Sequence, residues 1–167
     1  MRLFLETQEE TRRLGAALGA CLRPGDTVLL EGEMGAGKSV LTRAAARGMG
    51  VEGPVPSPTF TILNIPEGTR MRLYHFDLYR LEGEDALYEL GLDEFIPPAD
   101  GAAMIEWPQM AEGAMPADAL TVALRYAREG EAREAELTPC GAFDAARLGE
   151  VLRRYETMED THEYPDD

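Results

Sequence analysis

Apolar residues recur along the chain in short runs separated by glycine- and proline-rich breaks, and the spacing within each run predicts its local structure. Leu3-Phe4-Leu5 is a strand candidate. From Thr7 the period lengthens, with Thr11, Leu14, Ala17-Leu18 and Cys21-Leu22 on related faces of a helix. Thr7 and Glu10 have the S/T-x-x-E spacing of a capping box at its start. Pro24-Gly25-Asp26 is a turn. Thr27 to Glu31 predicts a strand around Val28-Leu29-Leu30, and Lys38 to about Met49 a helix. Gly48, Gly50 and Gly53 with Pro54, Pro56 and Pro58 then interrupt regular structure.

Thr59 to Ile65 and Arg70 to Leu78 read as two strands around a turn at Pro66-Glu67-Gly68. Glu84 to Leu90 predicts a short helix, and Ala102 to Ile105 a buried strand ending in Glu106. Ala119 to Ala127 and Glu131 to Leu137 alternate, and flank Arg128-Glu129-Gly130 as a hairpin. Phe143 to Tyr155 closes as a helix. The last residues, E-T-M-E-D-T-H-E-Y-P-D-D (156–167), are acidic and aperiodic, which predicts a disordered tail behind a single domain spanning residues 1–155.

Gly32 to Ser39 reads G-E-M-G-A-G-K-S between the strand 27–31 and the helix from Lys38, the G-x-x-x-x-G-K-[ST] phosphate loop in its required context. Glycines let backbone amides converge on phosphate oxygens. In such a loop Glu33, Met34, Gly35, Ala36, Gly37 and Val40 surround the phosphates, Lys38 meets the β/γ-phosphates and the Ser39 hydroxyl binds Mg²⁺. A glycine-rich turn capped by Ser39 is the bland alternative, but the pattern arises by chance in under ~1% of chains this long. Strands and helices mixed around it predict an α/β fold, a three-layer P-loop NTPase-like domain with a central mixed sheet.

Charge narrows the partners. The 167 residues carry 31 acidic against 16 basic side chains, a net −15, so most of the surface repels a phosphodiester backbone. Direct nucleic-acid binding is disfavoured, and a local polyphosphate pocket is the more conspicuous for it. No apolar run approaches a membrane span, and Glu6 ends the first apolar run too early for a signal peptide, so the expectation is a cytoplasmic protein with no membrane partner. Cys21 and Cys140 lack metal-ligand spacing and read as ordinary thiols.

Two carboxylates stand where chemistry could use them. Met104-Ile105-Glu106-Trp107 delivers an acid to a strand end, as a Walker B segment does, with Glu in place of the commoner Asp. In Tyr74-His75-Phe76-Asp77-Leu78-Tyr79-Arg80, alternation puts His75, Asp77 and Tyr79 on one face, which serves either a metal site or a solvated strand face. Thr59, in Ser57-Pro58-Thr59-Phe60, sits where many phosphate-loop enzymes carry a switch threonine. Trp107 suits either the nucleotide site or the core, and Arg43 and Arg47 suit bound phosphate, a partner or, more simply, the solvated surface. Guanine recognition by N-K-x-D is impossible, because Asn64 is the single asparagine and Ile65 follows it. Adenine is favoured.

Together, G-E-M-G-A-G-K-S, S-P-T-F, H-F-D-L-Y-R-L and I-E-W, with T-x-E-E-T-x-x-L-G from Thr7 to Gly15, make the chain resemble the TsaE (YjeE) family up to about Leu137. Those small bacterial ATPases support synthesis of threonylcarbamoyladenosine (t6A) in tRNA. The resemblance implies ATP and Mg²⁺ as cofactors, Lys38, Asp77, Glu106 and Thr59 as catalytic residues, and Ser39, Glu106 and Asp77 as metal ligands. It also places Thr11 near the nucleotide base and Arg133 as a basic contact on the same side. Partners would be TsaB- and TsaD-like proteins, with tRNA reached indirectly through their complex, which ATP hydrolysis would drive or reset. Ser39 stands where the family more often has Thr, and Glu33-Met34 where it commonly has Asp-Leu. A small-molecule kinase and a nucleotide-sensing interaction subunit remain as alternatives. The kinase would need an acceptor pocket and usually a lid with arginines, and Arg80 is the one basic residue between positions 80 and 100.

Overall fold

The computed structural model describes residues 1–127 and 130–159. Arg128 and Glu129 of the expected hairpin turn, and residues 160–167 of the expected tail, lie outside them. The strands are β1 (Arg2–Leu5), β2 (Thr27–Glu31), β3 (Leu63–Asn64), β4 (Arg72–Asp77), β5 (Gly101–Glu106), β6 (Ala119–Tyr126) and β7 (Arg133–Cys140). The helices are α1 (Gln8–Cys21), α2 (Lys38–Gly48), α3 (Glu84–Glu89) and α4 (Arg147–Thr157), with 3-10 segments at Leu92–Phe95 and Pro108–Ala114.

One sheet holds the seven strands in the order β1-β7-β6-β2-β5-β4-β3. Its centre is parallel, β6 with β2, β2 with β5 and β5 with β4. The outer pairs β1–β7, β6–β7 and β3–β4 are antiparallel, so the sheet is mixed as the element pattern predicts. Parallel strands are covered on both faces, which is why Val28-Leu29-Leu30 and Ala102 to Ile105 are continuous apolar runs. Leu14 and Leu18 of α1, Leu41 of α2 and Val151 of α4 pack with Val28, Leu30, Leu120 and Val122 on one face. Leu87 of α3 and Ala111 pack with Phe76 and Ile105 on the other.

Thr7 caps α1 by accepting from the Glu10 amide at 3.2 Å. The Glu10 carboxylate reaches back to the Glu6 amide, one residue before the cap. Helices α1 and α2 approach unusually closely, because Gly15 and Gly19 face Leu41 and Ala45. A Cβ at Gly19 would lie 2.0 Å from the Ala45 carbonyl oxygen, and one at Gly15 2.4 Å from that of Leu41. This seam fixes where α2 starts, and therefore where the phosphate loop ends.

Besides shifts of one or two residues, such as the end of α4 at Thr157 and not at Tyr155, three larger departures from the expected elements stand out. The strand expected over Thr59 to Ile65 is reduced to Leu63–Asn64, since Ile62 takes φ +68° and its amide closes a turn onto Pro58 O at 2.8 Å. The helix expected from Phe143 starts at Arg147, because the Asp144 carboxylate captures the Ala146 amide at 3.0 Å in a turn of its own. Strand β7 runs on through Pro139, which is tolerated because β1 pairs only with residues 133–136 and leaves that side of Pro139 free.

Candidate functional site

Strand register builds the site. In the parallel centre of the sheet, Glu106 at the end of β5 lies opposite Leu30 of β2 on one side and Asp77 of β4 on the other. Both carboxylates are therefore delivered to the same sheet edge at which β2 opens into the phosphate loop. In that loop Gly35 and Gly37 take φ +79° and +108°, conformations that a side chain would strain. Gly37 caps α2 without a side-chain hydrogen bond, so the first amides of α2 remain for a ligand, at the positive end of the helix dipole.

Ser39, in the first turn of α2, donates from Oγ to Glu106 Oε1 at 3.1 Å and lies 3.3 Å from Oε2. Glu106 also meets His75 Nε2 at 2.7 Å, a contact in which both side chains are buried. His75 is fully buried and Asp77 nearly so, which overturns the solvated-face alternative for this segment; Tyr79 alone of the three is exposed. The cause is topology, since β4 lies inside the sheet with β5 and β3 on either side. Among the described residues His75 Nδ1 has no hydrogen-bond partner. Asp77 Oδ2 accepts from Thr59 Oγ1 at 3.4 Å and Oδ1 from the Tyr79 amide at 3.0 Å. Ser57 Oγ lies 2.9 Å from Thr59 Oγ1, so the turn that replaces the expected strand carries Thr59 onto the carboxylate pair.

Lys38 is buried, with its ammonium donating to Gly32 O and, at 3.4 Å, to Glu33 O. It sits 3.7 Å above the centroid of Trp107, which follows Glu106 in a left-handed conformation at φ +58° and packs on Tyr79 at 4.9 Å. Burial lowers the Lys38 pKa below its ordinary value, against the opposing pull of Glu106 and Asp77.

These groups face a cleft of about 490 Å³, within the size range of small-ligand pockets. Of the residues the sequence singles out, Thr11, Met34 to Val40, Thr59, Asp77, Glu106 and Arg133 all line it. Glu33 does not; its side chain borders a separate hollow beside Tyr126. Gln8, Tyr79, Trp107 and Glu131 line the cleft in addition. Tyr126 bonds the loop at Met34 O across 92 residues of sequence, a contact no local pattern signals.

The donors suit a magnesium nucleotide. Ser39, Glu106 and Asp77 offer hard oxygen atoms, and among the described residues no group of three or more His, Cys, Asp or Glu is placed to cage a metal alone. Mg²⁺ characteristically takes one or two carboxylates and completes its shell with water and phosphate. A polyphosphate would give the helix N-terminus and the Lys38 ammonium one anion in common.

The TsaE family model, described as threonylcarbamoyl adenosine biosynthesis protein TsaE, matches residues 5–135. A tRNA threonylcarbamoyladenosine biosynthesis protein TsaE from Nostoc sp. is 40% identical over 141 residues, 83% of this chain and 85% of that protein. The Bacillus subtilis protein of the same name is 38% identical over 133 residues, 80% and 82% of the two chains. The crystal structure of Bacillus subtilis YdiB superposes with a TM-score of 0.78 at 30% identity, covering 92% of this chain and 94% of that one.

Proposed function

The chain belongs to the TsaE family of tRNA threonylcarbamoyladenosine biosynthesis, and from that premise we propose that it is a Mg²⁺-dependent ATPase, slow alone, that serves a TsaB–TsaD complex. One observation carries the reading. Ser39 and Glu106, 67 residues apart, meet at 3.1 Å where the phosphate loop enters its helix, with Asp77 and Thr59 beside them. A structural turn would need none of these groups.

In this reading Lys38 exchanges the Gly32 and Glu33 carbonyls for β/γ-phosphate oxygens, and the loop amides hold the remaining phosphate charge. Ser39, Glu106 and Asp77 would hold Mg²⁺. When bound, that ion neutralises charge building on the transferred phosphoryl group. His75 keeps one Glu106 oxygen engaged, so the carboxylate presents a fixed orientation towards Ser39. Thr59 positions the attacking water or the γ-phosphate by moving with its turn. Trp107 and Tyr79 exclude solvent from the Lys38 side. A cytoplasmic location belongs to the same reading; among the described residues no helix is long and apolar enough to cross a membrane.

ATP turnover measured with and without a TsaB–TsaD pair tests the proposal. Stimulation of about tenfold or more is expected, equivalent to ~1.4 kcal/mol of barrier. In the stimulated assay Glu106→Gln and Ser39→Ala should lower turnover more than they weaken nucleotide binding. Unchanged turnover in both variants overturns the metal site, and absence of stimulation overturns the partner.

A further inference from the structure

Three consecutive carbonyls of the phosphate loop are gripped by side chains of the β6–β7 hairpin. Tyr126 Oη donates to Met34 O at 3.1 Å, Arg133 Nη2 to Gly35 O at 3.3 Å and Arg133 Nε to Ala36 O at 3.1 Å. The guanidinium is anchored in turn by Nη1, which donates to Gly130 O at 2.9 Å and Ala132 O at 3.0 Å, and it stacks 4.2 Å from the Tyr126 ring centroid. A planar fork of five donors can satisfy four carbonyls at once; a lysine ammonium on a flexible stem cannot.

A trans peptide holds its C=O and N–H on opposite sides of one plane. Fixing the Met34 and Ala36 carbonyls therefore fixes the directions of the Gly35 and Gly37 amides. Both glycines have positive φ, a region from which glycine escapes freely to other shapes. The Ala36 amide is closed onto Glu33 O at 3.1 Å, so the grip acts on a short, defined turn. A Cβ at Gly35 would lie 2.7 Å from Tyr126 Oη, so a side chain there would push the hydroxyl off the loop. A loop ordered before its ligand arrives spares the ligand that ordering entropy.

We infer that Tyr126 and Arg133 are positioning residues that hold the phosphate loop in its polyphosphate-binding shape through its backbone. Arg133 thus acts on the loop carbonyls, in contrast to the contact on the base side that the family resemblance implies. The inference rests on the reading that this loop binds a nucleotide polyphosphate.

Inorganic tripolyphosphate, which has neither base nor ribose, separates the two roles. Titration calorimetry of the full chain with Mg²⁺ would compare tripolyphosphate and ATP in the wild type, Arg133→Lys and Tyr126→Phe. Arg133→Lys keeps the charge and loses the fork, and should weaken both ligands by a similar factor of about tenfold. Tyr126→Phe removes one hydroxyl from a half-exposed ring and should weaken both by about threefold. The loss should fall on KM for ATP more than on kcat. Amide exchange should quicken across residues 32–37 while the melting temperature holds. Selective weakening of ATP by Arg133→Lys would place the residue on the base side and overturn the inference, as would undiminished binding of both ligands. A wild-type chain that binds neither ligand overturns the nucleotide reading itself, and the purpose of the grip with it.

Discussion

Lys38 holds its ammonium between two backbone carbonyls and the face of Trp107, in a place where burial lowers its affinity for a proton. Its folded pKa lies below the ordinary 10.5 that an unfolded chain restores. Between those two values the unfolded chain binds more protons, so stability rises with pH across that window. Below that window the ammonium is charged in both states and the whole cost of the buried charge is present. Lys38→Met should therefore melt at a higher temperature than the wild type without nucleotide, by roughly 2–4 °C per kcal/mol relieved. On the proposed function Mg-ATP should raise the melting temperature of the wild type, and the same variant should lose that rise. Thermal melts with and without Mg-ATP check both, and a lower nucleotide-free melting point would show that the carbonyl and ring contacts outweigh desolvation. Lys38, Ser39 and Glu106 were legible because each belongs to a local pattern. His75 shared a face with Asp77 in the sequence, but its contact with Glu106 needed the β4–β5 pairing.

At the scale of elements, the α1–α2 seam decides where the phosphate loop stands. On an exposed helix, Gly→Ala gains up to about 1 kcal/mol. At Gly19 the sign should reverse, because the new methyl meets the Ala45 carbonyl at 2.0 Å and α2 must be pushed away. Gly19→Ala should destabilise by about 2–3 kcal/mol, measured by urea unfolding, and weaken ATP binding through displacement of Lys38 and Ser39. Stabilisation instead would mean the helices are further apart than described. Most elements were legible from periodicity: α1 with its Thr7 cap, β2, β4, β5 and the β6–β7 pair. Thr59 to Ile62 was not, because β-branched residues favour an extended chain, whereas here the Ile62 amide on Pro58 O and Thr59 on Asp77 hold a turn. Nor was the start of α4, where Asp144 diverts the chain before Arg147.

Across the whole molecule, a net −15 opposes compaction at long range. Ion pairs such as Arg147–Asp26 at 2.5 Å, with both side chains mostly buried, are barely screened, whereas the diffuse repulsion is. Raising ionic strength from 0.01 to 0.15 M shortens the Debye length from about 30 to about 8 Å, so the melting temperature should rise by a few degrees. A scanning melt across that salt range checks it. A falling melting temperature would show that exposed pairs such as Arg125–Glu136 contribute more than the net charge costs.

The sequence by itself determined the phosphate loop, the carboxylates at two strand ends, the mixed α/β class and the family. Each of these is written in neighbours a few residues apart, where spacing and side-chain type carry the physics. The tertiary structure alone decided the parallel register that sets Glu106 between β2 and Asp77, the burial of His75, the turn that carries Thr59 to Asp77, and the grip of Tyr126 and Arg133 on the loop. All of these depend on which strands become neighbours. That choice is made by the burial of apolar faces over the whole sheet, and no short stretch of the chain contains it.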